Sequence, residues 1–478
     1  MSRPLVRGYG EEAPVDPPEA ARLRARARLA RHPWPPILLE ALARLRRDGG
    51  RACLVGGTVR DALLGRPPHE VFDVSTDLTP DVVATRFEKV EPIGIQHGTV
   101  LIVQNDARIE CTTFRREGEY PDARHPESVE FTRDPVADLG RRDLTLNALA
   151  FDPETGELLD PHGGALDLER GVLRAVGDPV LRFREDALRP LRVARLAAVL
   201  EMEPEPATRG ALGTVLDRAR LVAWERVREE LNKLIVAPRP SVGLELLREA
   251  GLLALWLPEL QHCYGVLQNR HHAYDVYDHS LHTCDAAPRE KLRVRWAALL
   301  HDIGKPDTRV ERNGEGTFYN HQFVGAEIAD RLLERLRFSL EQRRAIVHLV
   351  REHMFDFRAG WSDAALRRWL RRVGIDAVAD LFDVRIADYL GNGLRPGFPP
   401  YLEGMHERIE LLIRESQALT VRDLGVDGED VMGILGIGPG PEVRAALEAL
   451  LEEVLDDPSR NRREYLTRRL EQRRRDLL

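Results

Sequence analysis

A short apolar run that ends in two glycines constrains this chain most: Leu54-Val55-Gly56-Gly57, then Thr58-Val59-Arg60-Asp61-Ala62-Leu63-Leu64-Gly65. It predicts a strand over residues 51–56, a sharp turn, and a helix that begins over 58–64. Glycine has no Cβ, so backbone N–H groups of such a turn can approach a phosphate, and the helix N-terminus favours an anion. Arg60 follows three residues after the second glycine, a basic group on the same turn of chain. A plain tight turn fits these letters too, so the neighbouring segments decide.

Mixed periodicity continues to about residue 160. Strands are expected over 70–76, 99–103 and 108–115, the last two joined by the hairpin turn Gln104-Asn105-Asp106-Ala107. After Asp167 the period is helical to the end, with Gly/Pro breaks near 237–240, 306–317, 391–400 and 437–441. The expected fold class is therefore α+β: an α/β head, then an all-α neck, body and tail. The expected boundaries are a flexible extension over 1–33, a head over 34–165, a neck over 166–250, a body over 251–400 and a helical tail over 401–478.

Hydrophobic residues make up 43% and charged residues 31% of the 478, values of a soluble, mostly helical protein. No apolar run reaches the length of a membrane span, and the first residues lack an apolar segment. Neither a membrane partner nor a secretory leader is expected, and the cytoplasm is the expected location. Cys53, Cys111, Cys263 and Cys284 lack metal-ligand spacing and read as reduced, buried thiols. A net charge of −8 excludes a uniformly basic coat. Arginines do concentrate over 22–31 and 460–475, as a solvated helix face or as an electrostatic aid to nucleic-acid binding.

Further ordered segments follow the glycines. They are Arg66-Pro67-Pro68-His69-Glu70-Val71-Phe72-Asp73-Val74-Ser75-Thr76, Ile109-Glu110-Cys111, Arg141-Arg142-Asp143, and Glu185-Asp186-Ala187-Leu188-Arg189-Pro190-Leu191-Arg192-Val193-Ala194-Arg195. Over about residues 37–250 the chain resembles class II tRNA nucleotidyltransferases (CCA-adding enzymes) and bacterial poly(A) polymerases. The resemblance implies transfer of nucleotides from CTP and ATP to tRNA or other RNA 3′ ends, with Mg²⁺ in the head. Two aspartates one residue apart on a strand would face one side and hold metal. Here the pair is altered. Asp73 is the second member, Val71 stands two residues before it, and the segment is one residue longer than the pattern. A β-bulge would turn Glu70 back toward Asp73 as a longer substitute ligand, with Glu110 as the supporting carboxylate. Gly56, Gly57, Arg60, Arg142 and Asp143 would serve the triphosphate. Asp186 and Arg189 would read the base edge, since a carboxylate accepts from the exocyclic amino group of C or A and a guanidinium donates beside it. At a spacing of three, Asp186, Arg189 and Arg192 would share one broad helix face, with Arg195 further round and Pro190 as a kink.

The second half carries another ordered set: His279 in Tyr277-Asp278-His279-Ser280, His301-Asp302-Ile303-Gly304-Lys305, His321, His353 and Asp388. It resembles the HD phosphohydrolases. His279, His301, Asp302 and Asp388 would bind a divalent ion, His321 and His353 a second, and Lys305 a phosphate. The resemblance implies hydrolysis at RNA 3′-phosphate or 2′,3′-cyclic phosphate ends. Two alternatives stay open: a poly(A) polymerase or A-adding enzyme, and an HD phosphohydrolase whose head binds RNA without transferring nucleotides.

Overall fold

The computed structural model describes residues 18–67, 70–105, 107–118, 128–269, 272–312, 315–355, 361–394, 397–415 and 420–477. Pro68 and His69 of the head motif, Asp106 of the hairpin turn and residues 1–17 lie outside them. Contacts divide the chain into two compact units, Met1–Pro258 and Glu259–Leu478.

The first unit is built on a seven-stranded sheet. Its strands are β1 (Ala52–Val55), β2 (Val71–Thr76), β3 (Val90–Gly94), β4 (Thr99–Gln104), β5 (Ala107–Thr113), β6 (Ala150–Asp152) and β7 (Glu157–Leu159). Their order is β3-β4-β5-β2-β1-β6-β7. Strands β2 and β5 run parallel and every other neighbouring pair runs antiparallel. Strand β1 is fully buried, which its letters Ala-Cys-Leu-Val suit. The chain leaves it directly into the helix Gly56–Leu64, which closes on Gly65 in the left-handed conformation. Beyond the sheet the helices Pro179–Glu185, Arg189–Leu200, Trp224–Ile235 and Pro240–Glu249 pack into an all-helical layer.

Several expectations need correction here. Residues 18–30 are not a flexible extension. They form a helix that buries Ala21, Ala25 and Leu29 and packs on the helix Gly164–Arg170. The alanine and leucine spacing of four supplies the apolar stripe that holds it. The part after Asp167 is not wholly helical: Val172–Leu173 pairs with Glu203–Pro204, and Val310–Arg312 with Glu315–Thr317. Pro190 does not kink a helix. It occupies the first turn of Arg189–Leu200, where its missing N–H costs nothing. Nor does a bulge interrupt β2 among the described residues. β2 keeps unbroken register with β5 from Val71 opposite Arg108 to Thr76 opposite Thr113.

In the second unit the helices Val276–Ala286, Leu292–Leu300, His321–Arg335, Leu340–Glu352 and Ile375–Gly391 form one packed body. The helices Gly428–Leu435, Pro441–Asp456 and Arg463–Leu477 pack on one another in the tail. Among the described residues no helix is long and apolar enough to cross a membrane.

Candidate functional site

A cleft of about 790 Å³ opens over the β2–β5 face of the sheet. The parallel register puts Asp73 directly opposite Glu110. Asp73 is fixed from two sides. Its Oδ2 accepts from the Gly57 amide at 3.0 Å, and its own amide donates to Thr58 Oγ1 at 2.7 Å. The glycine turn thus cradles a carboxylate. Gly56 has φ +60°, and a Cβ there would lie 3.0 Å from Arg142 Nη1 and 3.2 Å from Asp73 Oδ2. Burial, then the Asp73 charge beside it, push the Glu110 carboxyl above its usual value.

Eight arginines and Lys233 line this cleft against Asp73, Glu110, Asp143, Asp186 and Glu230. A chain of net charge −8 has therefore gathered cations here, which suits a polyphosphate. Arg142 reaches Ser75 Oγ at 3.2 Å and Asp138 at 3.3 Å, while its buried Nε has no hydrogen-bond partner. Asp143 is 5% exposed and stands 3.0 Å from Arg192 Nε as an ion pair without hydrogen-bond alignment. Burial opposes its charge, but Arg192 and the Asn147 amide outweigh that and hold the carboxyl far below its usual value. Arg195 donates to Glu230 at 2.7 Å.

The remaining expected residues meet different fates. Glu70 is exposed, precedes β2 and does not line the cleft; Val71 lines it instead. The regular strand explains this, since alternation shows positions 71, 73 and 75 to the cleft. Arg60 lines the cleft, but Asp61 holds it bidentately at 2.8 Å twice and Asn147 accepts at 2.7 Å. Asp186 does not share a helix face with Arg189 and Arg192. It ends the helix Pro179–Glu185 in extended conformation, before the next helix begins. Arg189 donates to the carbonyls of Arg182 (2.8 Å) and Arg141 (3.0 Å) and to Glu185. One residue with no assigned role in the sequence stands out. Arg226 grips Asp186 bidentately, at 3.2 Å and 2.8 Å. Its signal was a basic position on the amphipathic helix Trp224–Ile235, which surface pairing explains equally well.

The second unit assembles every expected residue of its motif. His279 Nε2 lies 3.2 Å from His301 Nε2, 3.1 Å from Asp388 Oδ1 and 3.5 Å from Asp302 Oδ2. His301 Nε2 lies 3.1 Å from Asp302 Oδ2. On the other side of Asp302, Oδ1 is 3.2 Å from His321 Nε2 and 3.8 Å from His353 Nε2. Two groups of three potential ligands share Asp302: with His279 and His301, and with His321 and His353. Each imidazole places its Nδ1 against a backbone carbonyl: Gly391 at 3.2 Å, Ala298 at 2.8 Å, Phe318 at 2.7 Å and Val350 at 2.7 Å. Donation there leaves the Nε2 lone pairs pointing together, so the donor set fits divalent metal.

Electrostatics match that reading. Burial opposes the Asp302 charge, but His301 and Lys305 hold the carboxyl well below its usual range. Burial is likewise outweighed at Asp388, by the His279 hydrogen bond and His301. Burial alone would lower His301, yet Asp302 and Asp388 raise it. His353 sits well below its usual value through burial, His301 and His321. Lys305 donates to Asp302 and, at 2.6 Å, to Gln268. His272 was not foreseen. It stacks edge-on against His279 at 5.2 Å, and burial with Lys305 and His279 pushes it down to about 4. No spacing in the sequence separates it from its neighbours.

The sheet head with an arginine-lined cleft, followed by helices, is the architecture of a nucleotidyltransferase of the polymerase A class. Residues 52–174 match the Poly A polymerase head domain, 201–263 the probable RNA and SrmB-binding site of polymerase A, and 260–393 the HD domain. The chain is 32% identical over 429 residues to the CCA-adding enzyme of Geobacillus stearothermophilus, spanning 90% of this chain and 94% of that one. It is 38% identical over 330 residues to the A-adding tRNA nucleotidyltransferase of Deinococcus radiodurans, spanning 66% and 74%. The solved Bacillus stearothermophilus CCA-adding enzyme in complex with CTP superposes with a TM-score of 0.73 at 29% identity, over 92% of this chain and 97% of that one. The chain belongs to the family of CCA-adding and A-adding tRNA nucleotidyltransferases, with an HD domain as its body.

Proposed function

We propose that this enzyme adds C and A to tRNA 3′ ends from CTP and ATP without a nucleic-acid template. We propose further that its HD body hydrolyses RNA 3′-phosphate or 2′,3′-cyclic phosphate ends. The observation that carries the first reading is one cleft holding Asp73 opposite Glu110, an arginine lining, and Asp186 with Arg189. Asp73 and Glu110 are the residues that would hold Mg²⁺, which supplies charge neutralisation at the triphosphate when bound. Arg142 and Arg192 offset phosphate charge, and Asp143 holds Arg192 in place for it. Asp186 accepts from the exocyclic amino group of C or A. Arg189 keeps an Nη2 N–H and its Nε N–H for the base edge after its internal bonds are made. Gly57 and Arg60 support the site by holding Asp73 and Asn147.

In the body, His279, His301, Asp302 and Asp388 would hold one divalent ion, and Asp302, His321 and His353 a second. Such an ion, when bound, would supply the activation of a water for attack on the phosphate. Lys305 stands beside Asp302 as the cation for the scissile phosphate.

Val71 beside Asp73 favours a second reading, a head that binds RNA ends and nucleotide without transfer. One assay separates the readings. The chain is incubated with Mg²⁺, labelled CTP or ATP, and tRNA lacking its last three nucleotides. Incorporation of both supports CCA addition; ATP incorporation only into tRNA that lacks just its terminal A, run in parallel, supports A addition. No incorporation, with hydrolysis of a 2′,3′-cyclic phosphate end intact, moves the assignment to the second reading.

A further inference from the structure

Two-metal sites for phosphoryl transfer place their ions about 3.5–4 Å apart and need carboxylates that reach both. The strand faces available here can be read residue by residue. β2 shows Val71, Asp73 and Ser75 to the cleft, and β5 sets Arg108, Glu110 and Thr112 opposite them. That is two carboxylates. One oxygen of Asp73 is already spent on the Gly57 amide. Among the described residues no group donates a hydrogen bond to Glu110, which stands half-buried opposite Asp73 with Arg142, Arg192 and Lys233 acting on its charge from further off. Val71 fills the next position along the same face with two methyl groups, and Glu70, the nearest other acid in the chain, is exposed and does not line the cleft. Mg²⁺ is held well by one or two carboxylates with waters and substrate phosphates. The donor set therefore suits one ion and is short of ligands for a second.

We propose that the head of this chain holds a single divalent cation, between Asp73 and Glu110, and that Val71 is the residue that withholds a second. The proposal rests on the reading of the cleft as a metal-dependent triphosphate site. It makes Glu110 an indispensable ligand, because β2 and β5 show no third carboxylate to the cleft and Asp143 and Asp186 are engaged by Arg192 and Arg226. It also makes the arginines carry the charge neutralisation that a second ion supplies elsewhere.

The test counts ions and does not depend on turnover. Mn²⁺ alone is titrated into the full chain and the bound ion is followed by electron paramagnetic resonance. The body's ions are removed by difference, using Asp73→Asn in the full chain as reference. The wild-type chain is expected to hold about one ion more than Asp73→Asn. Two more would overturn the proposal. Glu110→Gln is expected to weaken the Asp73-dependent ion at least tenfold, and an unchanged affinity overturns the assignment of Glu110. Val71→Asp is expected to raise the difference to about two; a folded Val71→Asp chain that stays at one overturns the role of Val71. If Val71→Asp fails to fold, the wild-type count and Glu110→Gln still decide. Nucleotide incorporation by a chain that holds two head ions would sink this inference and leave the proposed function standing. A single ion without incorporation would do the reverse.

Discussion

Replacing Arg226 by alanine isolates how this cleft reads a base. Asp186 Oδ1 accepts from the Leu188 amide at 3.1 Å and from Arg226 Nη1 at 3.2 Å, and Oδ2 accepts from Arg226 Nη2 at 2.8 Å. A carboxylate offers about four lone-pair sites, so three are taken and one on Oδ2 is left. One acceptor is what the amino group of C or A requires. U and G present a carbonyl at the equivalent place, which the carboxylate repels. The side chains of Arg226 and Asp186 are 23% and 15% exposed, so the fork is worth the lower part of the range for charged hydrogen bonds, about 1.5 kcal/mol. Without it Asp186 is free to turn, and that amount of discrimination is lost. About 1.4 kcal/mol is tenfold, so the ratio of kcat/KM for CTP over UTP should fall about tenfold in Arg226→Ala. Arg226→Lys should behave similarly, because an ammonium has no planar fork. The assay is single-nucleotide incorporation into tRNA lacking its 3′ end, with CTP and UTP in competition and Asp186→Ala run alongside. An unchanged ratio in Arg226→Ala, with a lowered ratio in Asp186→Ala, would refute the positioning argument. An unchanged ratio in both would remove Asp186 from base reading. Tighter CTP binding with selectivity retained would show that Arg226 merely competes for Asp186.

Other outcomes follow from the same geometry. Gly56→Ala puts a Cβ against Arg142 and Asp73 at a residue with φ +60°; it should cost about 1–2 kcal/mol in a denaturant melt and at least tenfold in incorporation. Asp138 is 1% exposed between Arg141 (2.8 Å) and Arg142 (3.3 Å). Burial resists its charge, but the two arginines hold its carboxyl below the usual value. Its stabilisation is complete above the unfolded pKa and is lost as pH falls through the folded one. Asp138→Asn should therefore lose about 3 kcal/mol at neutral pH, and the gap to wild type in thermal melts should close only below about pH 4; a gap independent of pH there would contradict the pairing. His301→Ala should lower hydrolysis of 2′,3′-cyclic phosphate ends on the order of a hundredfold together with bound metal. Undiminished hydrolysis would remove His301 from the site, and a chelator should reproduce the loss in the unaltered chain.

What the letters show and what they hide divides along a physical line. The turn at Gly56 and the strands Thr99–Gln104 and Ala107–Thr113 were legible from local pattern, and the histidines that gather round Asp302 from the resemblance to HD phosphohydrolases. The helix Pro18–Ala30 was read as a loose extension, since its many arginines masked an apolar stripe of only Ala21, Ala25 and Leu29. The bulge failed because pairing with β5 sets the register of β2, and β5 lies more than thirty residues away in the chain. Arg60 and Arg189 were read as free cations for phosphate and base. Their partners, Asn147 and the Arg141 carbonyl, are brought in by tertiary folding. Asp186 was placed on a helix because spacing cannot reveal the break between Glu185 and Arg189.

The carbonyls that hold the four body imidazoles have a further consequence. His301 and His353 cap the C-terminal ends of Leu292–Leu300 and Leu340–Glu352, and His321 opens the helix His321–Arg335. His301 and His353 each anchor to a carbonyl three residues back, in the last turn before them. A ligand at such an end is lost whenever that turn frays. On the proposed metal reading, ion binding and the closure of those turns would be one equilibrium, and each ion would tie separate helices together at their ends. Any ligand that binds only the closed form adds RT ln(1 + [M]/Kd) to stability, about 2.7 kcal/mol at a hundredfold excess over Kd. On the proposed reading of this site as metal-binding, the helix ends of the body would firm as the divalent ion becomes abundant and loosen as it is withdrawn.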